Sequence, residues 1–225
     1  MGEAKRKRKL REQVLKAFPY CIYCGGSVKA TTVDHLPPIS CFEGRQRPRG
    51  LEFPACAPCN RGASPDELVA AMLSRIYPDS ATELGKSEIK KYFESVNENF
   101  PGLLQEMTPT LRQKKISRRY EETLGDGIGV LNCRGPILNR AILRFAAKIG
   151  FALHFESTGR PVPPTGGALV WWLTNYQSLK GDMPKELIEI LGYPKTLQQG
   201  KNNVGNQFQY SSNNTENGTL SAHFA

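Results

Sequence analysis

Apolar residues recur with a helical period along much of this chain and with a two-residue period only near its end. Leu10, Val14 and Phe18 stand at four-residue spacing, which predicts a short basic helix over residues 5–17, stopped by Pro19. Residues 19–62 lose that period and are rich in Cys, Gly, Pro and Arg, so they read as a small, loop-rich unit that needs a staple. A helix is predicted from Ser64. Ser64 suits the N-cap, Pro65 the first helical position and Glu67 the capping box, with Leu68, Val69, Met72, Leu73 and Ile76 on one face and Pro78 at the end. A second amphipathic helix over 87–99 carries Ile89, Tyr92, Phe93 and Val96. A third, after Pro101, runs to about residue 122 and includes the basic run Arg112, Lys114, Lys115, Arg118 and Arg119. Residues 124–129 (LGDGIG) form a turn-rich joint. Pro136 then opens a long helix to about Phe155, with Ile137, Leu138, Ala141, Ile142, Phe145, Ile149 and Ala152 facing inward. Residues 166–174 (GGALVWWLT) read as a buried strand with at least one of Trp171 and Trp172 in the core. Residues 198–206 read as a polar loop, and alternating segments on either side of Asn217 and Gly218 as a terminal β-hairpin.

These elements predict an α+β protein: a basic N-terminal helix or tail (1–18), a stapled unit (19–78), a helical segment (79–125) and a C-terminal α+β region of unassigned role (126–225). With 225 residues, 39% of them hydrophobic and 23% charged, the chain is long enough to bury a sizeable core. No apolar run approaches the roughly 18 residues that a membrane span needs. The basic N-terminus has no apolar segment behind it, so it does not read as a secretory signal. The expectation is an intracellular, cytoplasmic protein with no membrane partner.

The charge is unevenly placed. Residues 1–65 hold 12 Lys and Arg against 5 Asp and Glu, or +7 of the chain's net +9. A basic face confined to one end suits a polyanion such as a nucleic-acid backbone, although a solvated tail that aids solubility would look the same.

Four of the 6 cysteines form two C-x-x-C pairs, Cys21/Cys24 and Cys56/Cys59, with 31 residues between them; Cys41 and Cys133 are single. Paired knuckles of this kind are a four-thiolate zinc pattern, and Gly25-Gly26 permits the turn after the first. Four thiolates leave no open coordination position, so the predicted Zn²⁺ is structural.

Between and beside the knuckles lie TTVDHLPP, with Asp34 and His35, and Asn60 directly after Cys59. With CIYCGG and LEFPACAPCNRGAS, these stretches resemble the zinc-stapled branch of the HNH endonucleases, the ββα-metal nucleases, over about residues 18–77. The resemblance implies a zinc-stapled ββα module that hydrolyses phosphodiester bonds of DNA, with RNA as the alternative substrate. It makes His35 the general base, and Asp34 and Asn60 the ligands of a catalytic Mg²⁺ or Mn²⁺. The chemistry is reasonable for these residue types: a neutral imidazole can deprotonate water, and a carboxylate with an amide oxygen can hold a hard cation. One departure stands out. The family places an Asn nine residues before the last metal ligand, where it braces the loop; that position is Leu51 here. The alternative reading is therefore a zinc-dependent nucleic-acid-binding module that has lost catalysis. A protein-interaction scaffold, the third reading, predicts no nucleic-acid affinity. Lys5, Arg6, Lys7, Arg8, Lys9, Arg45, Arg47, Arg49 and Arg61 are the expected nucleic-acid contacts. His154 reads as structural, His223 as ordinary, and Cys41 as a small buried residue or a spectator.

Overall fold

The apolar stripe that begins at Pro136 becomes the spine of the fold. A computed structural model describes residues 2–76, 83–118, 130–174, 177, 180, 185–200, 202–205, 207–215 and 218–224. In chain order the helices are α1 (Gly2–Ala17), α2 (Ala57–Gly62), α3 (Ser64–Ser74), α4 (Glu83–Asn99), α5 (Leu103–Glu106), α6 (Leu111–Ser117), α7 (Pro136–Thr158) and α8 (Lys185–Leu191). The strands pair antiparallel: β1 (Thr32–His35) with β2 (Glu52–Ala55), β3 (Gln198–Gln199) with β4 (Asn202–Asn203), and β5 (Gln209–Thr215) with β6 (Gly218–Phe224). This is the expected α+β class. Among the described residues, no helix is long and apolar enough to cross a membrane.

Helix α7 starts with Pro136 in its first turn, where a missing N–H costs nothing. The carboxylate of Glu106 caps it, accepting from the backbone N–H groups of Ile137 and Leu138 at 3.2 and 2.6 Å. A carboxylate here also meets the positive end of the helix dipole. Gly135 makes this approach possible, because a Cβ there would fall 2.2 Å from Cδ of Glu106. The helix ends at Gly159, in the left-handed region at φ 68°, whose N–H bonds the carbonyl of Phe155. Its buried stripe is Leu138, Ala141, Ile142, Phe145, Ile149, Ala152 and Leu153, and Lys148 lies on the same stripe. Val69, Ala70, Ala71 and Met72 of α3 pack onto this spine, and the shared apolar cluster extends from Ile22 to Phe208. The stapled unit and the C-terminal region therefore share one core.

Several sequence expectations change. Ser64 is not an N-cap: α2 runs almost directly into α3 through Ala63, which accepts from the N–H of Glu67, and Ser64 is the first residue of α3. The third helical stretch is broken into α5 and α6 by Pro109 and Thr110, and Thr110 forms a capping box with Gln113. Residues 166–174 are not a strand. They follow Pro161, Pro163 and Pro164 and, among the described residues, pair with no neighbouring strand; Leu169 and Trp171 are 84% and 76% exposed. Trp172 alone of the two tryptophans packs against the core, with its indole N–H donating to Asn139 at 3.0 Å. Residues 198–206, expected as loop, contain the short β3–β4 pair. The terminal hairpin is present, with Thr215 opposite Gly218. Pro78, Arg119, residues 120–129 and Asn217 lie outside the described residues.

Met72 is fully buried where α3 meets the core. Met72→Ala should lower unfolding free energy by about 2–5 kcal/mol. In urea the midpoint should fall with an unchanged slope; an unchanged midpoint would mean that this contact is not part of the core.

Candidate metal centre and the Asp34 site

The first knuckle is a 3-10 turn over Ile22–Cys24 that closes on Gly25 and Gly26, both left-handed at φ 61° and 78°. The N–H of Gly26 donates to the carbonyl of Cys21 at 3.0 Å. The second knuckle is formed where Cys56 precedes α2 and Cys59 lies one turn into it. The sulfurs of Cys21, Cys24, Cys56 and Cys59 all lie within 4.8 Å of one another, with Cys24 at 3.4 Å from Cys59 and 3.7 Å from Cys56. A tetrahedral zinc with bonds of about 2.3 Å separates its sulfurs by about 3.8 Å, so the four thiols fit a structural Zn²⁺. Cys41 stands apart, and burial pushes its thiol up to about 12. Cys133, half-buried, is likewise a bystander.

The strand register places Asp34 opposite Phe53 and His35 opposite Glu52. Alternation puts Thr32 and Asp34 on one face of the hairpin, Val33 and His35 on the other. His35 is exposed at the end of β1. Asp34 is 4% exposed, and its oxygens are heavily engaged. Oδ1 accepts the backbone N–H of His35 at 3.0 Å. Oδ2 accepts the hydroxyl of Tyr23 at 2.8 Å and faces the ammonium of Lys148 at 2.7 Å. Lys148 reaches in from α7, also bonds Glu67 of α3 at 2.5 Å, and lies 5.3 Å over the ring of Tyr23. Burial pulls the Lys148 ammonium down, but Asp34 and Glu67 together outweigh it and leave it raised and charged. Burial, and then Asp34, push the Tyr23 hydroxyl well above its ordinary range, so it remains a donor. Because Tyr23 lies inside the first knuckle, the thiolate site and Asp34 are mechanically joined.

Asn60 reaches the same hairpin face as Asp34, but its amide nitrogen donates to Thr32 Oγ1 at 3.1 Å and to the carbonyl of Val33 at 3.5 Å. A divalent ion bound at Asp34 Oδ2 does not fit beside the Lys148 ammonium, which holds that atom at 2.7 Å. A carboxylate offers about four lone-pair positions. Three carry donors here, and one of those donors is itself a cation.

Leu51 takes an unusual conformation, φ 55°, and is 5% exposed. Asn tolerates this left-handed region better than most residues; Leu there brings no polar group to the loop. Arg47 braces the loop instead. Its side chain is 3% exposed. Nε donates to Pro37 O at 2.7 Å, Nη1 to Pro48 O at 2.9 Å, and Nη2 to Leu36 O and Gly50 O at 3.0 and 2.6 Å. Glu52 lies 3.6 Å from Nη1 and accepts the N–H of Gly50. Arg47 is therefore corrected from an expected phosphate contact to an internal brace, since its donors are spent on carbonyls. The other expected contacts Lys5, Arg8, Lys9, Arg45, Arg49 and Arg61 are exposed, while the side chains of Arg6 and Lys7 lie outside what is described. Arg11 ties α1 to the hairpin by donating to Thr31 O at 2.6 Å. His154 bonds Thr219 at 2.7 Å in a structural role, and the side chain of His223 lies outside what is described.

Sequence reasoning missed Tyr23, Glu67 and Lys148 as partners of Asp34. The one signal was Lys148 itself, a charge within the apolar stripe of α7, between Phe145 and Ala152. No family model, curated protein or solved structure matches the chain.

The purified protein should contain about one zinc per chain, and chelation should lower its melting temperature; a zinc-free protein with the same melting curve would contradict the staple. Arg47→Met should cost about 3–5 kcal/mol, the range for breaking a buried charge pair, while zinc content is retained. A loss below about 1 kcal/mol, the range of an exposed pair, would show that the loop does not depend on it.

Proposed function

We propose that residues 18–77 form a zinc-stapled HNH-type module that binds DNA and hydrolyses its phosphodiester bonds, with His35 as the general base. The observation that carries this reading is the order and placement of the parts: two thiol knuckles that converge, a hairpin between them, and an exposed His35 at the end of β1. In this reading the His35 imidazole takes the proton of the attacking water. Exposed cations, Arg61 on α2 among them, face the phosphate, and the exposed Lys5, Arg8 and Lys9 of α1 track the backbone. RNA shares the chemistry and remains a competing substrate.

A second reading is favoured by two observations, the engagement of Asp34 by Lys148 and the absence of the bracing Asn at Leu51. In it the module binds nucleic acid without cutting it.

A plasmid-nicking assay separates the two. Under the first reading wild type nicks DNA, and His35→Ala lowers the rate by about 100- to 10,000-fold, with zinc content and DNA affinity retained. Binding with a steep salt dependence but no nicking under any condition selects the second. Absence of any salt-dependent binding would remove both and leave a protein-interaction scaffold.

A further inference from the structure

The cluster around Asp34 does more than hold two elements together. Lys148 is 8% exposed, and its ammonium bonds Asp34 and Glu67 at 2.7 and 2.5 Å. The face of Tyr23 covers it at 5.3 Å. Oxygen ligands hold Mg²⁺ or Ca²⁺ at about 2.0–2.6 Å. An ion that close to Asp34 Oδ2 would press against the ammonium bound to the same atom. The ammonium has no ready retreat. Its stem leaves α7 among Phe145, Ile149 and Ala152, all core residues, so swinging away would strip the charge of both carboxylates inside an apolar surround.

We propose that Lys148 is the resident cation of the Asp34 site: a tethered ammonium, fixed between Asp34 and Glu67, takes the place that a divalent ion would hold in the nucleic-acid module proposed above. The proposal stands whether or not His35 cuts. It gives the C-terminal part of the chain a role in the site, because α7 supplies a charge that the stapled unit lacks. It also accounts for the amide of Asn60 being turned to Thr32 and Val33.

Mn²⁺ titration followed by electron paramagnetic resonance, on full-length zinc-loaded protein with zinc content checked in each sample, tests this directly. Wild type and Asp34→Asn should titrate alike, with no site that depends on Asp34. Lys148→Ala should gain a Mn²⁺ site, and adding Asp34→Asn to that variant should abolish it. Loss of a Mn²⁺ site on going from wild type to Asp34→Asn overturns the proposal, as does a folded Lys148→Ala that gains none. Should Lys148→Ala fail to fold, the wild type still decides. The ¹⁵Nζ resonance of Lys148 should stay sharp through the Mn²⁺ titration, and paramagnetic broadening of that signal ahead of other lysines overturns the proposal. These readouts are independent of nicking, so a protein that fails to cut leaves them intact.

Discussion

One ammonium joins four parts of this molecule. The Nζ of Lys148 is where β1, through Asp34, meets α3, through Glu67, under the ring of Tyr23 from the first thiol knuckle, on a stem from α7. A buried ion pair of this kind is a poor source of net stability, because desolvating the charges costs about as much as their attraction returns. Its effect is on specificity. Three buried or half-buried polar groups accept only one arrangement, and any slip of α7 against the hairpin leaves a charge unpaired. The apolar contacts of α3 on α7 supply the adhesion, and the ion cluster sets the register.

The hairpin region gives Ile22, Leu36, Phe42 and Phe53 to the shared core, and two further polar constraints hold it. The four thiols close the base of the unit, joining the turn over Ile22–Cys24 to the start of α2. Arg47 closes the other end, gathering carbonyls of Leu36, Pro37, Pro48 and Gly50 around one planar fork. A guanidinium suits that task because its donors diverge in a fixed plane. The consequence for function is a division of labour. Asp34, Arg47 and the cysteines are committed to the frame, while His35 and the exposed Arg45, Arg49 and Arg61 face outward.

The sequence was legible where chemistry is local or periodic. The two C-x-x-C pairs were legible because each knuckle is local: the first is a short turn with Gly25 and Gly26 beside it, the second the first turn of α2. The stripe of α7 and the terminal hairpin follow from spacing alone. The apolar run at 166–174 misled because composition resembled a buried strand, whereas a strand needs a partner and the preceding prolines lead into none. Ser64 and Glu67 misled because a capping box is visible in sequence even when an upstream helix already supplies the carbonyl, which left Glu67 free to meet Lys148. The Asp34 cluster was hidden because its members, at 23, 34, 67 and 148, are joined only by tertiary packing. Arg47 resembled its neighbours Arg45 and Arg49 in sequence, and only burial separates it from them.

Anomalous diffraction from zinc-loaded crystals soaked in Mn²⁺ would test most directly whether the Asp34 site is filled by the protein's own cation. The account predicts a zinc peak at the centre of Cys21, Cys24, Cys56 and Cys59, and an ordered Lys148 ammonium within hydrogen-bond distance of Asp34 with no Mn²⁺ signal beside it. A Mn²⁺ peak coordinated by Asp34 and Asn60, with Lys148 displaced, would contradict it.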